Sequence, residues 1–412
     1  MKRFVKANEY LVLIYRMAFM MGIYSLCRIG FYLFNIDLFA NVDFSRFLII
    51  MWGGFMFDLS ALLYLNMLYL FLFLLPFRFK FATGYRSFLK WLFIGTNSLG
   101  LAANVSDFIY YRFTLRRTTF SVFEAFQNEE NLFLLWGRFI IDYWYAVLFW
   151  AAMVILIVFF YGRLKSKPFR FATGWWYSFI ALVFLALFGG LTVIGMRGGY
   201  RHSSRPITMS NAGKFVNSPE EMALVINTPF SMLRTIGKTT FQPVDFFTDE
   251  EVDKIYTPVY EPPTDTVSNP MNIVVFILES FNRENSGYLN PDLDNGSYKG
   301  YMPFLDSLMQ HSYTFTHAFA SGRKSIDAMP SVLASLPPLV QPFILSQYSS
   351  NRINGMGTLL KEMGYNTSFF HGAPNGSMGF DSFAKLAGFD SYYGMTEYNN
   401  YEDFDGYWVI WD

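Results

Sequence analysis

Three short segments in the second half of the chain carry side chains that could bind a cation or a phosphate. In the first segment, an apolar run at 272–278 is followed directly by Glu279 and Ser280. Such a run is typical of a buried strand in a parallel sheet, and ligands bind beyond the carboxyl ends of those strands. Glu279 is therefore a candidate cation ligand. The alternative is a strand-end carboxylate that is only solvated or paired.

The second segment is SGRKSIDAMPSVLASLP at 321–337. Gly322 permits a tight turn, two basic residues precede Ser325, and the apolar spacing of a helix begins at Ile326. Ser325 would then cap the helix, where the helix dipole and the nearby cations favour an anion. This pattern indicates either a phosphate-binding site or a hydroxyl that acts as a nucleophile. An ordinary capping serine is the alternative.

The third segment, YNTSFFHG at 365–372, predicts a strand that ends at His371. A helix is predicted just before it at 352–363, with Gly364 as its stop signal. The order helix, then strand favours an α/β domain with a parallel sheet. His371 could bind a metal ion or a substrate oxygen, although a single histidine is more often structural.

The composition divides the chain into two different halves. Of its 412 residues, 53% are apolar and 16% are charged, against about 25% charged in soluble domains, which excludes a disordered chain and a purely soluble enzyme. Residues 1–197 contain 19 Lys and Arg against 9 Asp and Glu, whereas the rest contains 13 and 23. The single cysteine, Cys27, excludes a disulfide framework. We expect a transmembrane bundle at 1–197, a linker with short helices at 198–270 and, at 271–412, part of an α/β domain that carries the three segments.

The first half contains stretches that are long and apolar enough to cross a bilayer. We predict five of them, at about 9–35, 46–77, 88–111, 143–162 and 171–196. Splitting the second stretch would leave two segments shorter than about 17 residues, so one long tilted helix is preferred. Lys and Arg concentrate before the first span and in the loops at 78–90 and 163–170, which lie together on the cytoplasmic side if five spans are present. The second half of the chain is then outside.

Charged side chains also occur within the apolar stretches, namely Arg16, Arg28 and Asp58. Such charges are costly in a membrane and are usually paired or face a cavity. Pairing between helices is the favoured interpretation, and a substrate path is the alternative. Residues 113–136 mix apolar and polar side chains and predict a helix that lies in the outer interface.

The order of the three segments along the chain resembles that of motifs in a known protein family. The chain resembles, over its whole length, the lipoteichoic-acid synthase-like family of the sulfatase and alkaline phosphatase superfamily. LESF (278–281) resembles the family's first metal-ligand motif, GRKSIDAMPSVLASLP (322–337) its nucleophile motif and FFHG (369–372) its substrate-site histidine motif. The stretches 197–212 and 220–234 resemble its linker. The resemblance implies a multi-pass protein of the bacterial cytoplasmic membrane, with about five spans, a linker and an extracytoplasmic α/β domain.

The resemblance also implies roles for individual residues. Glu279 would be a carboxylate ligand of one divalent cation, commonly manganese, with zinc or magnesium as alternatives. Ser325 stands where the family has a nucleophilic threonine, and it would be both nucleophile and metal ligand. His371 and Lys324 would bind the substrate. The implied reaction transfers a phospholipid headgroup of phosphoglycerol type, through a phosphorylated Ser325, to an envelope glycan or lipid. No nucleic-acid partner is expected.

Two departures from the family keep other functions open. The stretch 372–383 lacks the Trp and Arg that follow the histidine in lipoteichoic-acid synthases, so a phosphoethanolamine transferase is an alternative. The family's remaining ligands, an Asp-His pair and another His, should follow His371, but no further histidine does. We therefore expect a C-terminally truncated chain with an incomplete metal site, and a non-catalytic membrane-anchored binding or sensor protein is a further alternative. A true sulfatase is not expected, because the formylglycine pattern C/S-x-P-x-R is absent.

Overall fold

The computed structural model groups the chain into two compact units. The helical unit comprises Met1–Lys238 with Phe343–Asp412, and the central unit comprises Thr239–Pro342. The domain boundaries expected at 198 and 271 stay predictions. The residues that the structure describes are 5–123, 132–167, 175–199, 206–238, 246–257, 270–338, 341–405 and 410.

Helices dominate the described residues, and the strands are short. The helices are α1 (Glu9–Phe34), α2 (Phe44–Leu65), α3 (Met67–Leu74), α4 (Thr83–Thr114), α5 (Leu132–Asp142), α6 (Trp144–Tyr161), α7 (Trp175–Arg197), α8 (Met222–Val225), α9 (Thr228–Thr235), α10 (Asp249–Ile255), α11 (Pro303–Met309), α12 (Ser325–Ala334), α13 (Met356–Glu362), α14 (Phe380–Leu386) and α15 (Met395–Tyr398). The strands are β1 (Val5–Asn8), β2 (Leu164–Lys167), β3 (Ser368–Phe370) and β4 (Ser391–Tyr393).

Among the described residues, four helices are long and apolar enough to cross a membrane: α1, α2, α6 and α7. They indicate that the protein is associated with a membrane. The fifth predicted span lies within α4, whose polar residues Asn97, Asn104 and Asp107 are buried. These side chains bind neighbouring segments rather than facing lipid, and that explains why α4 is less apolar. The count of five spans stays a prediction.

The single long helix predicted over 46–77 is wrong. The structure ends α2 at Leu65 and begins α3 at Met67, with Asn66 between them at φ −97° and ψ 9°. The Asn66 amide donates to the Leu62 carbonyl at 2.9 Å and exchanges side-chain hydrogen bonds with Asn97 at 2.8 and 3.0 Å. The second helix has 8 residues, too few to cross a bilayer.

The described parts of the three basic segments lie at one end of the bundle, as predicted. Strands β1 and β2 pair in parallel, which joins the N-terminus to the connection after α6. Lys80 forms a buried ion pair with Glu9 at 2.9 Å, and Arg86 donates to the Ser166 carbonyl at 2.9 Å. Which side of the membrane this end occupies stays a prediction.

The charged residues within the spans pair between helices, as the favoured interpretation predicted. Arg28 of α1 forms an ion pair with Asp58 of α2, and both side chains are almost fully buried. Arg16 donates to the Tyr69 hydroxyl at 2.7 Å, and its guanidinium lies 3.6 Å from the centre of the Tyr161 ring. The interfacial helix predicted at 113–136 is only partly described: α5 covers its end, and residues 124–131 lie outside the described residues.

The segment after α7 packs into the bundle. Short helices were expected in this linker, and α9 begins at Thr228, with Asn227 as its N-cap accepting from the Phe230 backbone N–H at 2.8 Å. The Asn227 amide also donates to Asp58 at 2.8 Å. The Thr228 hydroxyl donates to Asp107 of α4 at 2.6 Å. These bonds fix α9 against α2 and α4.

The last part of the helical unit contains a parallel β-α-β arrangement. Strands β3 and β4 pair in parallel, with Ser368 opposite Ser391, and α14 lies between them in sequence. The predicted helix, Gly364 stop and strand are thus confirmed at α13, Gly364 (φ +87°) and β3. Helix α14 packs on the linker: Ser382 donates to the Ser210 carbonyl, and Lys385 donates to the Gly213 carbonyl at 3.0 Å.

The buried strand predicted at 272–280 is not formed. Residues 271–278 have no strand assignment, and Val274 and Phe276 are 72% and 80% exposed. A buried parallel strand needs hydrogen-bonded neighbours on both sides. The described part of the central unit contains no strand, only an isolated bridge between Ser286 and Gly300, so the run has no partner strand within that part of the unit.

Candidate functional site

Ser325 is the first residue of α12. Lys324 occupies the N-cap position, with φ −132° and ψ 146°. The prediction that Ser325 is the N-cap is therefore wrong by one residue. Ser325, Lys324 and Arg323 are all exposed. Among the described residues, no side chain or backbone group hydrogen-bonds to the Ser325 hydroxyl. The hydroxyl is therefore accessible, beside two positive charges and the positive end of a ten-residue helix.

The turn before α12 depends on Gly322. A Cβ atom placed on Gly322 would lie 2.5 Å from the Asp327 Cβ and 2.6 Å from its Oδ2. Asp327, in the first turn of α12, is 7% exposed, and its Oδ1 is buried without a hydrogen-bond partner in the described part of the chain. The Asp327 backbone N–H donates to the Lys324 carbonyl at 2.9 Å. The close approach of Asp327 explains why glycine stands at 322.

Glu279 lies at the end of the exposed apolar run. Its Oε1 accepts a hydrogen bond from the Ser280 hydroxyl at 3.2 Å, and Ser280 has a left-handed backbone with φ +59°. Glu279, Lys324 and Ser325 all belong to the central unit. The described residues show no hydrogen bond or ion pair between Glu279 and either of the other two.

These residues do not by themselves make a metal site. Within the described ranges, no group of three or more His, Cys, Asp or Glu side chains is placed to hold a metal ion. Zinc takes four ligands, and magnesium or manganese usually six, some of them water. Glu279 and Ser325 alone do not fit a resident cation, so no chemical step is derived through one.

His371 directly follows β3, in the helical unit. Its backbone N–H donates to the Tyr393 carbonyl at 2.9 Å, and its Nδ1 lies 2.9 Å from the Tyr392 hydroxyl. Its ring packs 4.6 Å from that of Phe380. Burial lowers the pKa of His371 to about 4, so the imidazole is neutral at pH 7. With Nδ1 occupied by Tyr392, Nε2 is the ring nitrogen left to contact a substrate.

Two polar residues beyond the ends of β3 and β4 were missed in the sequence. Glu397 accepts hydrogen bonds from the Gly394 backbone N–H at 2.7 Å and from the Asn375 amide at 2.9 and 3.2 Å. Asn375 in turn accepts from the Thr396 backbone N–H at 3.1 Å. The available signal was the position of both residues just after parallel strand ends, where polar side chains converge.

Comparison with known families places the candidate residues within one segment. Residues 271–411 match the family model described as Sulfatase, and this segment contains Glu279, Lys324, Ser325 and His371. Enzymes of this superfamily typically use a divalent metal ion. No solved structure matches the chain. The match supports the sulfatase and alkaline phosphatase superfamily for residues 271–411, and the apolar helices that precede them indicate membrane association.

Proposed function

We propose that the protein is a membrane-anchored phosphotransferase whose nucleophile is Ser325. One observation carries the proposal: an exposed hydroxyl, without a hydrogen-bond partner in the described residues, opens α12 directly after Arg323 and Lys324. It does so inside the segment that matches the Sulfatase family model. The helix N-terminus and the two cations favour a phosphate group at this position.

The proposed substrate is a phospholipid with a headgroup of phosphoglycerol type. The Ser325 Oγ attacks the phosphorus and forms an O–P bond. The bond between phosphorus and the diacylglycerol oxygen breaks, and the hydroxyl proton passes to that oxygen. A hydroxyl of an envelope glycan or lipid then attacks the same phosphorus, the Oγ–P bond breaks, and the acceptor's proton returns to Ser325. Lys324 would balance the phosphate charge, and His371, neutral at pH 7, would hydrogen-bond to the headgroup.

Glu279 and Ser325 are proposed as two ligands of a divalent cation, with manganese favoured by the resemblance and zinc or magnesium as alternatives. The described residues supply no third ligand at this place, so the steps above assign no role to the cation. Glu279→Gln tests the assignment. We expect it to weaken manganese binding, measured by isothermal titration on the full chain. Unchanged binding would contradict the role of Glu279.

The proposed location is the bacterial cytoplasmic membrane, with the N-terminus in the cytoplasm and the central unit outside. The gathering of the basic segments at one end of the bundle supports this orientation. In a Cys27→Ser background, a cysteine introduced by Ser297→Cys, at an exposed position, should react with an impermeant maleimide on intact cells. Reaction only after lysis would reverse the orientation.

The absence of Trp and Arg from 372–383 supports a phosphoethanolamine headgroup as the second candidate. One experiment separates the candidates: the full chain is incubated in vesicles of phosphatidylglycerol or phosphatidylethanolamine. Diacylglycerol release is measured, and the mass of the peptide that contains Ser325 identifies the transferred headgroup.

We expect Ser325→Ala to abolish diacylglycerol release and Ser325→Thr to retain part of it, because a hydroxyl remains. Ser321→Ala, at an exposed serine before the same helix, is the matched control and should keep the parent rate. Release by Ser325→Ala at the parent rate would disprove the nucleophile. No release from either lipid by the parent chain would instead favour a membrane-anchored binding or sensor protein.

A further inference from the structure

A cavity of about 450 Å³ lies within the helical unit, and none of its lining residues belongs to the central unit. Its wall includes the connection between α1 and α2 at 38–42, the linker at 218–221 and residues from 352 to 388. This volume is in the range of small-molecule sites. Since α1 and α2 are both candidate spans, their connection lies at the membrane surface on the proposed topology.

The cavity contains charges of both signs. Four charged residues line it: Glu220, Glu221, Arg352 and Lys385. Glu221 is neutralised by Arg46, whose Nε and Nη2 each lie 3.1 Å from the Glu221 Oε2. Lys385 also lines the wall, where its ammonium donates to the Gly213 carbonyl. Arg352, Lys385 and Glu220 have no ion-pair partner among the described residues, so two cations and one anion without an ion-pair partner face the same space.

The edge of the cavity is apolar. Leu38 lines it and is 39% exposed, and Ile36 and Phe44 on either side of the connection are 46% and 77% exposed. Exposed apolar side chains beside a charged cavity suit a ligand with a charged head and an apolar tail. A free phosphate or a soluble metabolite would leave these side chains without a partner.

We propose that this cavity binds the headgroup of a zwitterionic phospholipid with a primary ammonium group, and that it holds the lipid without cleaving it. The phosphate contacts Arg352 and Lys385, the ammonium contacts Glu220, and the acyl chains lie along Leu38 and Phe44. The inference rests on the membrane placement in the proposed function, but not on Ser325 as a nucleophile.

The test uses the full chain in detergent with dioctanoyl phosphatidylethanolamine as the probe, and dissociation constants are measured by microscale thermophoresis. Arg352→Gln and Glu220→Gln should each weaken binding by about tenfold or more, because each removes a charge-assisted contact. Arg138→Gln, at an exposed arginine outside the cavity, is the matched control and should bind as the parent does. Neither Arg352 nor Glu220 contributes an ion pair to the described fold, so thermal unfolding of both variants should match the parent.

Other probes distinguish the alternatives. Ser325→Ala should bind the probe as the parent does, and loss of binding in this variant would assign the lipid to the catalytic site.

Dioctanoyl phosphatidylglycerol should bind more weakly than the probe, and its binding should be insensitive to Glu220→Gln. Tighter binding of this lipid would disprove the preference for a zwitterionic headgroup. Glycerophosphoethanolamine, which lacks acyl chains, should bind at least tenfold more weakly. Equal binding would show that a soluble ligand occupies the cavity. Parent-like binding by Arg352→Gln would overturn the site itself.

Discussion

Replacing Asp58 with asparagine should loosen the contact between the bundle and the linker. Asp58 is 1% exposed, and its Oδ1 accepts hydrogen bonds from Arg28 and, at 2.8 Å, from Asn227. Asp58→Asn keeps the shape but removes the charge, which leaves the Arg28 guanidinium buried without a counter-ion. Removing one partner of a buried ion pair costs about 3–5 kcal/mol. Arg28 keeps its bonds to the carbonyls of Gly54, Leu224 and Val225, so we expect the lower end of this range.

The neighbouring Cys27 provides the assay. It is the chain's one cysteine, lies beside Arg28 and is 3% exposed. Its thiol therefore reacts with a maleimide only when α1 moves away from its neighbours. A loss of about 3 kcal/mol raises the opening equilibrium, and with it the labelling rate, by about 100-fold, since each 1.4 kcal/mol is a factor of ten.

Two comparisons make the measurement decisive. Asp37→Asn removes the exposed partner of Arg112, at 3.6 Å, and a surface pair of this kind should change the rate by less than about fivefold. The double variant Arg28→Met, Asp58→Leu removes both charges, but it also removes the donor to the buried carbonyls of Leu224 and Val225, so its labelling rate should remain above that of the parent. Labelling of Asp58→Asn at nearly the parent rate would show that the buried pair does not secure α1.

Three further outcomes are expected. Asn227→Ala removes the N-cap of α9 and should lower the free energy of unfolding by about 1–3 kcal/mol, measured by thermal or denaturant unfolding; no change would contradict the cap. Gly322→Ala should place a Cβ against Asp327, cost about 1–3 kcal/mol and speed hydrogen exchange across α12; unchanged exchange would contradict the close approach. His371 should titrate near pH 4 by NMR. Because its pKa is lowered in the fold, the unfolded chain binds more protons between about pH 4 and 6.5. His371 therefore makes stability rise with pH across that window, and His371→Gln should reduce the rise.

The sequence predicted those helices whose apolar composition reports burial or lipid contact directly. Prediction from the sequence failed where the end of a helix depends on a residue that is distant along the chain. Asn66 looked like one polar residue in an apolar run, but it ends α2 because it bonds to Asn97, 31 residues away. No local pattern reveals that contact. The same applies to Asp107, whose partner Thr228 is 121 residues away.

The same limit of prediction from local sequence applies to the strands predicted before His371 and Glu279. Within the predicted segment 365–372, residues 368–370 form a strand because β4 lies beside them. The run at 272–278 has a stronger strand pattern, yet it stays exposed and unpaired among the described residues. An apolar, β-branched run indicates only that a segment is suited to a β-sheet. The sheet forms only if another strand lies beside that segment. The helix start near Ser325 was predicted within one residue because its signals, Gly322 and the following apolar spacing, are local.

Contacts with the linker explain why the bundle contains buried charged residues. Helix α8 has only four residues, so the carbonyls of Ala223, Leu224 and Val225 at its end cannot all be satisfied within it. Arg117 donates to Ala223 at 2.7 Å, and Arg28 donates to the other two.

Each arginine is balanced by one aspartate: Arg28 by Asp58, and Arg117 by Asp107 at 3.8 Å. Irregular backbone is tolerated in an apolar surrounding only where protein groups satisfy it. The two Arg–Asp pairs are therefore better explained as the means of burying this turn between the helices than as a path for substrate. A substitution in either pair should therefore act first on how the linker is held between the helices.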